Sequence, residues 1–524
     1  MSPAFKFPRN ETTHKTIFEN DHLYRSIPDE ENVQTENELQ KRSLSKPLLI
    51  ASTCGLGGLQ VVWSVISSRG APLLISLGLS KSLTALVWIA GPLCGIVIQP
   101  LMGVLSDRCR IPWGRRRPYI LSGALATILS LLFLAWSGDT LKGVLISSNR
   151  DVGSDGIRTV AIILATAGIY ALNISIQPLQ IGLRTLIVEN YARHQQAQAS
   201  AWASRLTGLG NIVGYLAGFT DLPSLFPSFS ITQFQGLCLI ASVSLAITVG
   251  MSCIAVSEND PESMLLTPRE NIKFTSFLRP LLRTSRAMPW RIRRVCQVQF
   301  CAWMGWYPFL FYSTTYISDL YSVPILIGDS SLSSTAKDRV HEDGLYSGTF
   351  ASLIFAIVAV LANIILPLFV SLNTGTLNHD KHSIIQRRSF GKFDVASVWM
   401  ASHLLFAIAM FSTILVTSPT GGTYVIGCVG LSWAMTLWAP FAIIGAEITK
   451  HNGKAGEDYD TGTILSLHNL AISAPQLVAA LICSGVFWVA HQAGSSDATG
   501  WALRVGGFAM LAAAWLCRRL IFED

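Results

Sequence analysis

The sequence predicts an all-α membrane protein of twelve transmembrane helices in two six-helix halves. Three observations carry that reading. Hydrophobic residues make up 50% of the chain and charged residues only 14%, against roughly 25% charged in a soluble globular protein. So few charges cannot coat a soluble surface of 524 residues. The apolar residues fall into separate runs, each near the roughly 20 residues a helix needs to cross a bilayer core. The longest internal polar connection lies mid-chain, with six runs on either side.

In order, the runs are 47–68, 82–106, 117–137, 158–182, 203–222 and 233–256, then 294–318, 346–371, 394–416, 422–446, 464–490 and 499–517. Backbone groups in lipid must be bonded within their own segment, so each run reads as a helix. Residues 318–345 read mostly as a loop. The two halves are then 47–256 and 294–517, joined by a cytoplasmic linker at 257–293 that carries Pro261, Pro268, Pro280 and Pro289. Two six-helix halves on a loose linker suit a transporter that rocks about a midplane site. A channel or a receptor of unusual helix count is the competing reading.

Lysine and arginine set the orientation. Basic residues crowd the connections after even-numbered spans: Arg108, Arg110 and Arg115–Arg117 after span 2, Arg269 to Arg294 after span 6, Lys381 to Lys392 after span 8, and Arg518 and Arg519 after span 12. Even spans therefore end in the cytoplasm, both termini are cytoplasmic, and 1–46 and 518–524 are tails, the first polar and disordered. The net charge of +7 comes from these loop clusters, which excludes a nucleic-acid surface as its cause. Ten cysteines lie mostly in apolar runs with no Cys-x-x-Cys spacing, so no disulfide framework or zinc site is expected. No removable signal peptide is legible, and the first span is expected to act as the targeting signal. The sequon at Asn10-Glu11-Thr12 falls on the cytoplasmic side.

Polar residues inside spans are costly, so they face the bundle interior or a cavity. In span 4, Asn173, Gln177, Gln180 and Arg184 stand at offsets of 0, 4, 7 and 11. At 3.6 residues per turn they form one narrow stripe. It lines a cavity or bonds to a neighbouring helix; Arg184 needs water or an acid in either case. Span 7 carries Trp303, Trp306, Tyr307 and Phe311 on one face, and their flat rings can stack on the apolar side of a sugar ring, or else form an interfacial belt or lipid-facing bulk. Span 10 offers Trp433, Thr436, Pro440 and Glu447 on one stripe. Span 5 holds Arg205 and Asn211, with Gly210, Gly214 and Gly218 at steps of four that permit close helix packing.

Between spans 2 and 3 stand Asp107-Arg108 and Gly114-Arg115-Arg116-Arg117-Pro118. A carboxylate paired with guanidinium groups at helix ends can lock a half-bundle in one state. This segment resembles the loop signature of the major facilitator superfamily. The three arginines followed by proline resemble the sucrose-transporter branch of the glycoside-pentoside-hexuronide:cation symporters. Further matches follow in order: Gly58-Leu59-Gln60 with Trp63; Trp88-Ile89-Ala90-Gly91-Pro92 and Gln99-Pro100; Gln299-Phe300 and Trp303 to Phe309; Trp433-Ala434, Trp438-Ala439-Pro440 and Glu447; His468-Asn469 and Pro475-Gln476. The resemblance covers most of 47–517, excludes the tails and most of 318–345, and is strongest to fungal members.

The resemblance implies alternating access for a sucrose-like or α-glucosidic sugar. It implies substrate contacts at Gln60, Trp63, Asn173, Gln177, Gln180, Arg184, Trp303, Trp306, Tyr307, Asn469 and Gln476, and gating by Asp107, Arg108, Arg115, Arg116 and Arg117. It also implies titratable acids where this chain has Ile66 and Asn173, with Arg69 as an added cation. The remaining coupling candidates are Glu189 and Glu447, both placed toward helix ends where water would screen them. An exporter of another fungal metabolite and a non-transporting sugar sensor are the alternatives. No nucleophile elbow, phosphate loop or metal-spaced histidines appear, so neither enzyme activity nor a cofactor or metal is expected. The expected partners are a small-molecule substrate, protons as a candidate co-substrate, and the lipid bilayer. The expected state is a monomer in the plasma membrane, or alternatively the vacuolar membrane. If Asp107 gates the cycle, Asp107→Asn slows turnover and leaves substrate affinity intact. Initial-rate kinetics test this, and a fall in affinity at normal turnover would refute it.

Overall fold

The computed structural model describes residues 45–107, 109, 111–147, 154–190, 193–256, 286, 288–329, 331–371, 393–452 and 461–522. The expected tail before residue 45, most of the linker 257–293 and Arg108 lie outside the described residues. The side chains of Asp107 and Glu189 do as well.

Twelve helical spans cross the bundle. The first half holds Lys46–Ser76 (span 1), Lys81–Val87 with Ala90–Asp107 (span 2), Arg117–Ser147 (span 3), Ser154–Asn190 (span 4), Arg193–Phe219 (span 5) and Gln233–Ala255 (span 6). The second holds Trp290–Gly328 (span 7), Ser334–Phe369 (span 8), Val395–Ser412 (span 9), Pro419–Asn452 (span 10), Thr461–Gln492 (span 11) and Ala498–Phe522 (span 12). Among the described residues, ten helices are long and apolar enough to cross a membrane on length and composition alone. Spans 5 and 7 are as long but more polar: span 5 opens with Arg193, His194, Gln195 and Gln196, and span 7 with Arg291, Arg293, Arg294 and Gln297.

Several helices outrun their apolar runs, because a helix can continue into water once its core turns are buried. The segment 318–345, read from the sequence mostly as a loop, is largely helical: span 7 continues to Gly328 and span 8 starts at Ser334. Helix starts carry the expected caps. Ser80 accepts from the Leu83 N–H, Asp394 accepts from Ala396 and Ser397, and Thr232 with Gln235 forms a reciprocal capping box. At the end of span 1, Gly78 takes a left-handed φ of 93°, and Arg158 of span 4 donates to the carbonyls of Leu77 and Gly78. A cation on terminal carbonyls answers the helix dipole there.

An even number of crossings puts the start of span 1 and the end of span 12 at one end of the bundle, here the terminal end; the opposite end is the far end. Small residues let spans approach closely. A Cβ on Gly210 would overlap the Gly57 carbonyl, one on Gly214 would press on Ser64, and one on Gly218 would sit 2.7 Å from Thr349 of span 8. Span 5 thereby packs on span 1 and joins the two halves. Span 11 joins them on the other side, against span 2. The core reflects this: Tyr307, Tyr312, Cys483 and Phe487 of the second half pack into the first half's apolar cluster, while Trp306, Phe406, Trp399 and Met510 fill a second cluster.

Gly210→Val should lower the thermal midpoint of the purified protein, since overpacking rigid backbone costs about 1–3 kcal/mol. Gly250→Ala should be near neutral, because nothing lies within 4 Å of a Cβ there. Equal midpoints for both variants would contradict the close packing.

Candidate functional site

The four-residue stripe of span 4 divides. Asn173 is 2% exposed and donates to the Ile169 carbonyl at 2.8 Å. Gln177 is likewise buried and donates to the Asn173 carbonyl at 3.0 Å. Both amides are thus spent on their own helix. Gln180 is half-buried and Arg184 is exposed. Arg184 also acts electrostatically on His468 of span 11, which is itself buried. Arg184 therefore faces the space between the halves.

The second half meets it with aromatic and amide groups. Trp303 is half-buried, with its ring 6.0 Å from Trp433 in an edge contact. One turn earlier, Gln299 is fully buried and its amide nitrogen stands 3.4 Å from His468 Nε2. Gln299 Oε1 and Trp303 Nε1 are buried without a hydrogen-bond partner. An unmet buried donor or acceptor is unfavourable by about 1–3 kcal/mol. Asn469, next to His468, donates to Gln99 Oε1 of span 2 at 3.2 Å, which bridges the halves.

The other expected contacts are placed differently. Trp306 is fully buried, donates to Thr436 Oγ1 at 3.2 Å and packs edge-on against Phe406 and Trp433. Tyr307 is buried as well, but its hydroxyl donates across the halves to the Ala85 carbonyl at 3.1 Å. The aromatic residues of span 7 thus split between the two cores instead of forming one face. Gln60 donates to Asn211 at 2.9 Å, Gln476 donates to the Ile472 carbonyl at 3.0 Å, and Trp63 packs half-buried on the first core. Arg205 is exposed, its guanidinium stacked over Trp202.

At the terminal end the arginines brace one half from within. Arg116, 3% exposed, donates to Ser106 at the end of span 2. Arg117 donates to the Val256 carbonyl at the end of span 6, and Arg115 is half-buried. Glu447 is 5% exposed, with Arg291 of span 7 at 3.9 Å. The expectation that water screens Glu447 is corrected: burial removes the water and a guanidinium faces it instead.

The far end is closed. Lys81 pairs with Asp319 at 2.7 Å, and Thr499 donates to the same carboxylate at 2.9 Å. Arg69 pairs with Glu342 at 2.6 Å. Ser82 meets Ser484 at 2.8 Å, and Trp88 stacks on Phe311 at 4.8 Å between ring centroids. The Lys81–Asp319, Arg69–Glu342, Ser82–Ser484 and Trp88–Phe311 contacts each join one half to the other, while Thr499 holds Asp319 from within the second half. Sequence reasoning missed Glu342 and Asp319 because they stand in the segment read as a loop. It quoted Gln99, Gln299 and His468 only as motif letters; the i,i+4 spacing of Gln299 and Trp303 was the available signal.

Residues 73–179 match the family model described as MFS/sugar transport protein. A general alpha-glucoside permease of Schizosaccharomyces pombe is 34% identical over 545 residues, covering 91% of this chain and 94% of the relative. A sucrose transport protein of Oryza sativa subsp. japonica is 26% identical, covering 83% of this chain and 81% of the relative. Among solved structures, a D-xylose-proton symporter superposes with a TM-score of 0.52 at 15% identity, covering 90% of this chain and 97% of that one. A partially occluded, inward-open xylose transporter from E. coli superposes with a TM-score of 0.56 at 13% identity, covering 92% and 100%. Two six-helix halves with the fold of these structures, in a chain matched along most of its length by a permease and a sucrose transport protein, define a membrane transporter of the major facilitator fold. The identity to the permease runs nearly the length of both chains and narrows the class. The chain belongs to the MFS/sugar transport protein family, on its sucrose-transporter-like branch.

In a cysteine-free background, cysteines at 180 and 184 should react with a small water-soluble thiol reagent, and those at 173 and 177 should react far more slowly. Equal reactivity along the stripe would contradict the division.

Proposed function

We propose that this chain carries an α-glucosidic sugar, of the sucrose or maltose type, across the plasma membrane by alternating access, as a monomer with both termini in the cytoplasm. The observation that carries the proposal is that Arg184 of one half acts on His468 of the other, beside Gln299 and one turn from Trp303. Unmet amide and indole atoms suit sugar hydroxyls, and an indole face suits the apolar side of a pyranose. The permease relative supports the substrate class. With the terminal end cytoplasmic, the closed far end is the external gate, and the described conformation faces inward.

In this chain the path has no carboxylate at Ile66 or Asn173. Asn173 holds its own helix, and Glu447 already faces Arg291 within its own half. We therefore assign facilitated passage, with the sugar gradient as the driving force. The permanent charge of Arg184 favours one second reading, a polyhydroxylated anion as substrate.

Vesicle uptake of labelled sucrose, maltose and a sugar acid, with and without a proton gradient, tests these readings together. The expected result is saturable disaccharide uptake that largely survives an uncoupler. Uptake of the sugar acid alone would favour the second reading. Accumulation that collapses with an uncoupler and is abolished by Glu447→Gln would make Glu447 the coupling acid and return the chain to proton symport.

A further inference from the structure

Arg69 lies deep in span 1, one turn past Ile66, and is 5% exposed. Its guanidinium reaches three partners. The carboxylate of Glu342 on span 8 is at 2.6 Å, the Gly218 carbonyl of span 5 is at 3.3 Å, and the Tyr346 ring is at 5.1 Å. Tyr346 in turn donates to Asp221 of the first half at 3.5 Å. The second ion pair of the far end, Lys81–Asp319, differs in setting: its side chains are 31% and 22% exposed.

We infer that Arg69 and Glu342 are the positioning residues of the transport cycle that hold the far end shut, and that the Lys81–Asp319 pair contributes little to closure. The inference rests on the alternating-access reading above and not on the identity of the sugar. The Lys81–Asp319 pair is half-buried on both sides, so whichever member is left behind is reached and screened by water, and such a pair gains less than one that holds a fully buried ion. A buried charge stripped of its partner is strongly unfavourable. The partners here are unequally placed, at 5% exposed for Arg69 and 41% for Glu342. Removing Glu342 leaves a cation orphaned among packed helices, whereas removing Arg69 leaves a carboxylate that water can reach. Opening the far end hydrates both. The closed state therefore loses most when Glu342 is removed, less when Arg69 is removed and least when Lys81 is removed.

Thiol accessibility tests this ranking without any substrate, so its failure is separable from failure of the sugar assignment. Two reporter cysteines are placed singly in a cysteine-free background. One replaces Thr349, fully buried where span 8 crosses Gly218; the other replaces Ala85, fully buried at the opposite interface where Tyr307 donates. A membrane-impermeant thiol reagent is applied from the far side. Glu342→Gln should raise the reaction rate at both reporters by at least about tenfold, the response expected when a buried pair is broken. Arg69→Met should give a smaller rise, and Lys81→Met less than about threefold, in keeping with a half-buried pair whose remaining carboxylate water can screen. The exchange Arg69→Glu with Glu342→Arg should bring the rate back toward that of the parent.

A rise at Thr349 with none at Ala85 would show local loosening and overturn the inference. So would a Lys81→Met effect equal to that of Glu342→Gln. If Glu342→Gln fails to fold, Arg69→Lys keeps the charge but loses the forked geometry; a rate identical to the parent for Arg69→Lys and Arg69→Met alike would also overturn it.

Discussion

Charge cannot enter a hydrocarbon slab without a partner, and this constraint arranges the bundle. Three buried cations among the described residues show how it is met. Arg69 has Glu342, Gly218 and the Tyr346 ring. Arg116 has Ser106. Arg504 has Asp497 at 2.6 Å and the side chain and carbonyl of Thr413. Some of these answers lie within a half and make it rigid; others lie across the halves and can be given up. A rocking carrier needs both kinds. Arg116 and Arg117 brace the first half at the terminal end, Arg504 braces the second half near the far end, and the ion pairs between the halves, Arg69–Glu342 and Lys81–Asp319, also stand at the far end.

Much of the fold was legible because lipid imposes length. Apolar runs of about twenty residues mark helices whatever their neighbours, and the step-of-four glycines of span 5 announced a close approach that Gly57 and Ser64 now supply. What failed was the polar overhang. A run of apolar letters stops where water begins, but the helix does not, so Glu342 and Asp319 were hidden in a stretch without a hydrophobic signature. Those two residues supply the carboxylates of the two ion pairs that cross between the halves at the far end.

The candidate site was less legible, since periodicity gives direction but not competition. Asn173 and Gln177 point along the same stripe as Arg184, yet each finds a carbonyl of its own helix one turn away. Trp306 and Tyr307 are adjacent in sequence but serve different cores. A single sequence cannot say which partner a side chain will prefer when several are within reach. Unmet atoms such as Gln299 Oε1 become visible only when every neighbour is known.

The interruption of span 2 at Trp88 and Ile89 separates two allegiances. The short helix Lys81–Val87 is fastened to the opposite half through Lys81, Ser82 and the carbonyl of Ala85, while Ala90–Asp107 is braced to its own half through Ser106 and meets the other half through Gln99. The short segment is a lever about 10 Å long, at 1.5 Å per residue. Turning it by about 20° at the joint displaces its tip by roughly 3 Å on that length, more than enough to part a hydrogen-bonded ion pair. The first stage of unlocking is thus geometrically separable from the rigid-body swing of six helices: one joint can let go of the opposite side before the bulk of the half has moved.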